Sequence, residues 1–166
     1  MDLDNLTEKE LFQMLSPNSI ARKELIKRGV LRTKNIVGEI GEYYAKQIFE
    51  ENPKLPILIF PDTGVKNIDF ISRNGERYSV KTVNSPTMKG TTGSFWNPSS
   101  IEKNEKVFEY LLIVVLDDDY DVLSVLQLTW DDFMQHKKYN SRMENYNISL
   151  TKKLISSVEI IYQKSL

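Results

Sequence analysis

From Val107 to Leu116 the chain reads Val-Phe-Glu-Tyr-Leu-Leu-Ile-Val-Val-Leu, apolar at almost every position and rich in aromatic and β-branched side chains. An amphipathic helix or half-exposed strand would interrupt such a run with polar residues at its own period. An uninterrupted run of this length is the signature of a strand buried on both faces. A sheet built around it needs one layer above and another below, which points to an α/β architecture. With 166 residues and 40% hydrophobic content the chain has enough apolar surface for one core without staples.

The flanking segments supply those layers. Thr7 and Glu10 have capping-box spacing, predicting a helix that ends before Pro17. A second helix is expected from Ser19 to about Arg28, stopped by Gly29, and a third from Asn35 to Glu50. Leu55 to Phe60 reads as a strand, Tyr120 to Leu128 as another, and Thr129 can cap a helix through about His136, helped by Asp131 and Asp132. A short strand is expected around Asn147 to Leu150, followed by a last apolar stretch, Val158 to Tyr162. Residues 1–34 form a basic N-terminal helical segment of the same domain, and residues 35–166 form its core.

Between the third helix and the long apolar strand lies a hairpin whose register can be derived. A two-residue Asn74-Gly75 turn would mix apolar and polar side chains on both faces. A three-residue loop, Arg73-Asn74-Gly75 with Gly75 left-handed, sets Ser72 opposite Glu76 and Asp69 opposite Ser79. Ile68, Phe70, Tyr78 and Val80 then share one side, and Asp69, Ser79 and Lys81 the other. Because the buried pattern sets register, the second arrangement is expected. A carboxylate and a lysine on one polar face suit phosphodiester hydrolysis, which needs acidic oxygens for Mg²⁺ and a cation to position or deprotonate water. The plain alternative is an exposed ion pair worth a few tenths of a kcal/mol.

In the third helix, Ile36, Ile40, Tyr44 and Ile48, with Val37, Ala45 and Phe49, define an apolar arc. Glu42 lies about 20° beyond Phe49 at its edge, whereas Glu39 points further into the polar face. Glu42 is therefore the better site carboxylate; alternatively it pairs with Lys46 one turn on. Gly38 and Gly41 each cost roughly 1 kcal/mol in a helix relative to Ala, so close approach of a strand or a nucleic-acid backbone is expected there.

A helical Gly38-x-x-Gly41-Glu42, a strand, Asp69 on a second strand and Ser79-Val80-Lys81 on a third follow in an order that resembles the PD-(D/E)XK nuclease superfamily. Together with Arg32 to Glu39 and the Phe108 to Leu116 strand, the resemblance covers roughly Arg32 to Leu128. It implies a restriction-endonuclease-like core, a mixed central sheet flanked by helices. Asp69 would bridge the metal, Lys81 would activate water, and Glu42 would be the helix-borne acid. Ser79 stands where the family usually has Glu, Asp or sometimes Gln, so Glu42 or Glu39 would make up the charge, with the Val80 carbonyl as a further oxygen ligand. The implied cofactor is Mg²⁺, with Mn²⁺ as a substitute. The implied activity is DNA cleavage in restriction or defence, by a homodimer because one small site cuts one strand, with a cognate methyltransferase as a partner. A Holliday-junction resolvase or repair nuclease, and a degenerate nuclease fold used as a DNA-binding or protein-interaction module, remain as alternatives.

A net charge of −1 argues against a protein that coats nucleic acid indiscriminately, so the distribution of charge matters more than its sum. Arg22, Lys23, Lys27, Arg28, Arg32 and Lys34 face only Glu24 between Ile20 and Lys34. Arg28, Arg32 and Lys34 are the phosphate contacts expected there, against a merely solvated basic face. Asn84 to Asn104 is polar, rich in Gly and Pro, and expected to be a structureless loop over the site. Lys89 would meet phosphate and Phe95 or Trp96 would stack or wedge against bases; alternatively both aromatics anchor the loop to the core or to a dimer partner. Asp117-Asp118-Asp119 with Asp121 lacks calcium-loop spacing and reads as a solvated turn. A lone His136 without cysteine excludes zinc sites and Ser-His-Asp machinery, and no glycine motif cradles a nucleotide. Absence of cysteine, of a membrane-length apolar stretch and of a signal-like start makes a cytoplasmic location, without a membrane partner, the expectation.

Overall fold

The long apolar strand, β5 (Tyr110–Leu116), is the centre of the molecule in the computed structural model, which describes residues 4–16, 19–27, 36–62, 68–95 and 98–165. It pairs in parallel with β3 (Arg77–Asn84) and antiparallel with β6 (Val122–Thr129). Outside these lie β2 (Phe70–Ser72) and β1 (Leu58–Ile59) on one side and β9 (Glu159–Gln163) on the other. The result is a six-stranded mixed sheet in the order β1-β2-β3-β5-β6-β9.

Alternate residues of β5 enter different cores. Leu112, Val114 and Leu116 pack with Ile40, Tyr44, Ala45 and Phe49 of α3 (Ile36–Glu51) and with Phe70, Tyr78 and Val80. Leu111, Ile113 and Val115 pack with Ile101 of α4 (Pro98–Glu102), Trp130 and Phe133 of α5 (Trp130–His136), Leu154 of α6 (Lys152–Ser157), and Phe95. A second sheet, β4 (Gly90–Thr91), β8 (Asn145–Leu150) and β7 (Lys137–Asn140), completes that layer through Ile148 and Leu150. Each fully buried Leu or Ile contributes about 1.5–3 kcal/mol, which is why a strand apolar on both sides recruits two layers.

Local signals set most helix starts. In α1 (Glu8–Met14) the Thr7 N–H donates to the Glu10 carboxylate at 2.9 Å and the Glu10 N–H to the Thr7 hydroxyl at 3.3 Å. The same reciprocal cap joins Thr129 and Asp132 at the start of α5. Helix α2 spans Ile20–Lys27. Among the described residues no helix is long and apolar enough to cross a membrane.

The described residues between 84 and 104 are not structureless: they hold β4, an isolated bridge between Phe95 and Tyr146, and α4. Strand β1 is shorter than Leu55 to Phe60. Neither β7 nor α6 was expected; β7 is polar and exists because its backbone pairs with β8. The expected boundary near residue 34 falls outside the described residues.

Gly41 explains how α3 meets the sheet. A Cβ added there would lie 1.9 Å from the Thr82 hydroxyl oxygen and 2.9 Å from its Cβ and Cγ2, so no Thr82 rotamer alone relieves the clash. Close approach of a strand accounts for this glycine. A Cβ at Gly38 would meet nothing within 4 Å among the described residues. Gly41→Ala should gain roughly 1 kcal/mol of helix propensity but lose about 1–3 kcal/mol to overpacking, a net fall in Tm. Adding Thr82→Ala, which removes Oγ1 and Cγ2, should restore part of it; calorimetry of the single and double variants checks this.

Candidate functional site

The hairpin adopts the derived register. Phe70 pairs with Tyr78 and Ile71 with Arg77, the Ser72 N–H donates to the Glu76 carbonyl at 2.8 Å, and Gly75 has φ of 86°. Phe70, Tyr78 and Val80 face α3. Asp69 stands one residue before β2, where its N–H still donates to the Tyr78 carbonyl at 2.9 Å. Beyond it no further ladder pairing joins the two strands among the described residues.

In place of the next ladder bond, the Val80 N–H donates to Asp69 Oδ2 at 2.6 Å, and the Ser79 hydroxyl reaches the same oxygen at 3.4 Å. Among the described residues Oδ1 accepts no bond. Strand geometry turns both the N–H and the C=O of a residue to the same neighbour, so the Val80 carbonyl also points to the side that β2 has left. Ser79 is only 3% exposed.

Lys81 extends from the same face as Ser79. It makes no ion pair with Asp69; its Nζ lies 5.1 Å from the centroid of the Phe95 ring. Burial pushes its amine below the usual lysine range, opposed by the negative charges of Asp69 and Glu42. Glu42 belongs to α3, across the sheet, and comes to this edge because Gly41 lets the helix close on Thr82. Its carboxyl is pushed up to about 7, first by burial, then by the charges of Asp69 and Glu39, with Lys81 opposing. Asp69, Glu42 and Lys81 therefore form one electrostatic cluster. The expected Glu42 pair with Lys46 is absent: Lys46 pairs with Glu50. Glu39 is exposed and lines a groove with Glu42, Tyr43 and Phe60.

This predicts a pH-dependent stability. With the folded carboxyl near 7 and the ordinary value at 4.5, the native state holds a proton that the unfolded chain releases in between. Stability therefore falls as pH rises from 4.5 to about 7, and the loss is complete above it. Glu42→Gln should match wild type at low pH and exceed it by about 1–3 kcal/mol at pH 8 without divalent cations. Equal Tm differences at both pH values would show that Glu42 does not share the site's charge.

The remaining expected contacts divide. Arg28, Arg32, Lys34 and Trp96 lie outside the described residues. Lys89 is exposed at the turn into β4, its N–H donating to the Ser85 hydroxyl at 3.0 Å. Phe95 does not stack on a ligand: it is 4% exposed and packs on Phe108 and Phe133, so the anchoring alternative describes it. Its place beside Lys81 had no sequence signal beyond an aromatic in a polar stretch. The acidic turn is held by protein: Asp117 Oδ1 accepts from the Asp119 and Asp121 N–H groups, and Lys9 and Lys164 pair with Asp121 at 3.2 and 3.3 Å. Among the described residues no three His, Cys, Asp or Glu side chains converge on a cation site.

No family model matches this chain, and none of the curated proteins matches it.

Proposed function

We propose that this chain is a divalent-metal-dependent endonuclease with a restriction-endonuclease-like core, hydrolysing DNA phosphodiester bonds in restriction or defence. The observation that carries the reading is Asp69, held by the Val80 N–H where the β2–β3 ladder opens and near enough to Glu42 and Lys81 for their charges to act on one another. The order of elements supports it: a helix with Glu42, a strand, Asp69 at a second, Lys81 on a third, then the buried parallel strand β5.

The donor set fits a hard cation. Two carboxylates and the Val80 carbonyl are all oxygen, and Mg²⁺ is usually held by one or two carboxylates, with water and substrate phosphate completing its shell. Mg²⁺ or Mn²⁺ bound there would stabilise charge on the phosphoryl oxygens and acidify water. Asp69, fixed by the Val80 N–H, presents its other oxygen in a set orientation. Lys81, its amine disfavoured as a cation by burial, is suited to take a proton from water. The Ser79 hydroxyl adds no charge, so Glu42 supplies the second carboxylate.

Purified protein should nick or linearise supercoiled plasmid with Mg²⁺ or Mn²⁺ and do nothing in chelator. Preference for a four-way junction over plasmid would identify a resolvase or repair nuclease. A second reading, a degenerate nuclease fold that binds DNA without cutting it, is favoured by the neutral, buried Ser79. Binding without cleavage of any substrate would establish it; chelator-resistant cleavage would overturn the metal mechanism.

A further inference from the structure

The β7–β8 hairpin is not used by the site described above, yet it borders it. Phe95, whose ring lies under the Lys81 ammonium, bridges Tyr146 of β8, its N–H donating to the Tyr146 carbonyl at 2.9 Å. Tyr146 pairs across the ladder with Tyr139 of β7, the rings edge to face at 5.4 Å. Tyr139 therefore stands two strand spacings, roughly 10 Å, from Phe95. This aromatic row starts buried beneath Lys81 and ends in water: Phe95 is 4% exposed and Tyr139 55%. Met143, at the hairpin tip, is 60% exposed.

The charge of the hairpin differs from that of the whole chain. Across the hairpin Lys137, Lys138 and Arg142 stand against the single acid Glu144, and Lys152 and Lys153 follow at the start of α6, in a protein of net charge −1. Lys138, Arg142, Lys152 and Lys153 are exposed and make no ion pair among the described residues. Lys137 lies over the Tyr146 ring at 5.4 Å. Unpaired cations beside an exposed aromatic ring match a strand that offers both phosphates and unstacked bases, as single-stranded DNA does. A duplex keeps its bases stacked and would use only the cations.

We infer that the β7–β8 hairpin is a binding arm for single-stranded or locally unpaired DNA, with Lys138 and Arg142 on phosphates and Tyr139 stacked on a base beside the candidate site. The inference rests on the nuclease reading for the identity of the polyanion and adds to it a preference for unpaired substrate.

Fluorescence anisotropy in chelator, with a labelled oligonucleotide and its duplex across a salt series, tests the arm without any cleavage. Tyr139→Ala should weaken single-strand binding about 5- to 150-fold, while Tyr139→Phe stays within about twofold of wild type. Lys138→Ala with Arg142→Ala should reduce the single-strand log–log salt slope by roughly 1.4. Unchanged affinity and slope in all three variants overturns the inference, as does a wild type that prefers the duplex. Light scattering that shows these variants turning a dimer into a monomer overturns it too, since the surface would then belong to a second copy of the chain. The two readings fail separately. Hairpin-dependent binding by a wild type that never cuts keeps the arm and removes the nuclease. Metal-dependent cutting with hairpin variants that bind normally does the reverse.

Discussion

Asp69→Asn should fold as well as wild type and cut nothing. The amide oxygen can still accept the Val80 N–H that Asp69 Oδ2 takes at 2.6 Å, so the edge of the sheet keeps its bond. What disappears is the charge that a divalent cation needs. Asp69→Ala is the less clean variant, because it orphans the Val80 N–H at a cost of about 1–3 kcal/mol. It also relieves the repulsion that raises the Glu42 carboxyl. Lys81→Met, which keeps an apolar stem against Phe95, should lower cleavage by about 10²–10⁴-fold, the range for removing a positioned proton-transfer group. Retained cleavage by Asp69→Asn, with wild-type metal dependence, would falsify the assignment. Ser79→Glu adds a third carboxylate to this buried edge. It should lower Tm at pH 8 in chelator by like-charge repulsion and recover in Mg²⁺.

Phe95→Ala should be among the most damaging core substitutions, costing about 3–5 kcal/mol. At roughly 2–4 °C per kcal/mol for a chain of this size, Tm should fall by about 6–20 °C. The ring fills space between Phe108 and Phe133, with centroids 6.2 and 4.8 Å away, and its N–H ties the segment after β4 to β8. It also covers Lys81. Burial is the leading cause of the lowered Lys81 amine, so opening this space to water should move that amine back up. If Lys81 takes a proton from water, the alkaline rise of cleavage with pH should shift upward in Phe95→Ala. A large stability loss with an unmoved pH profile would separate the packing role from the site.

Local rules settled a good part of this protein in advance. The Thr7 and Thr129 caps needed only residues within one helical turn, and the hairpin register needed only the two-residue alternation from Ile68 to Lys81 and a glycine able to take positive φ. The β5 run required burial on both faces whatever covered them. These features were legible because the interactions that set them are short in sequence or depend on hydrophobic pattern alone.

Other features are made by partners distant in the chain. Gly41 is needed because Thr82 arrives against it, and the same approach brings Glu42 from one face of the sheet to the carboxylate and lysine on the other. Lys46 had two acids within reach on its own helix, and packing left Glu50 as its partner. The segment from Asn84 to Asn104 has a loop's composition, yet within it Gly90 and Thr91 pair with β8, and Phe95 and Ile101 are buried. Strand β7 carries no apolar alternation at all and forms because β8 offers it unpaired amides and carbonyls. Composition and period determine which face of an element is buried. Which distant side chain meets it, and whether a carboxyl there is charged at neutral pH, depends on three-dimensional distances and on exclusion of water, which only the packed structure decides.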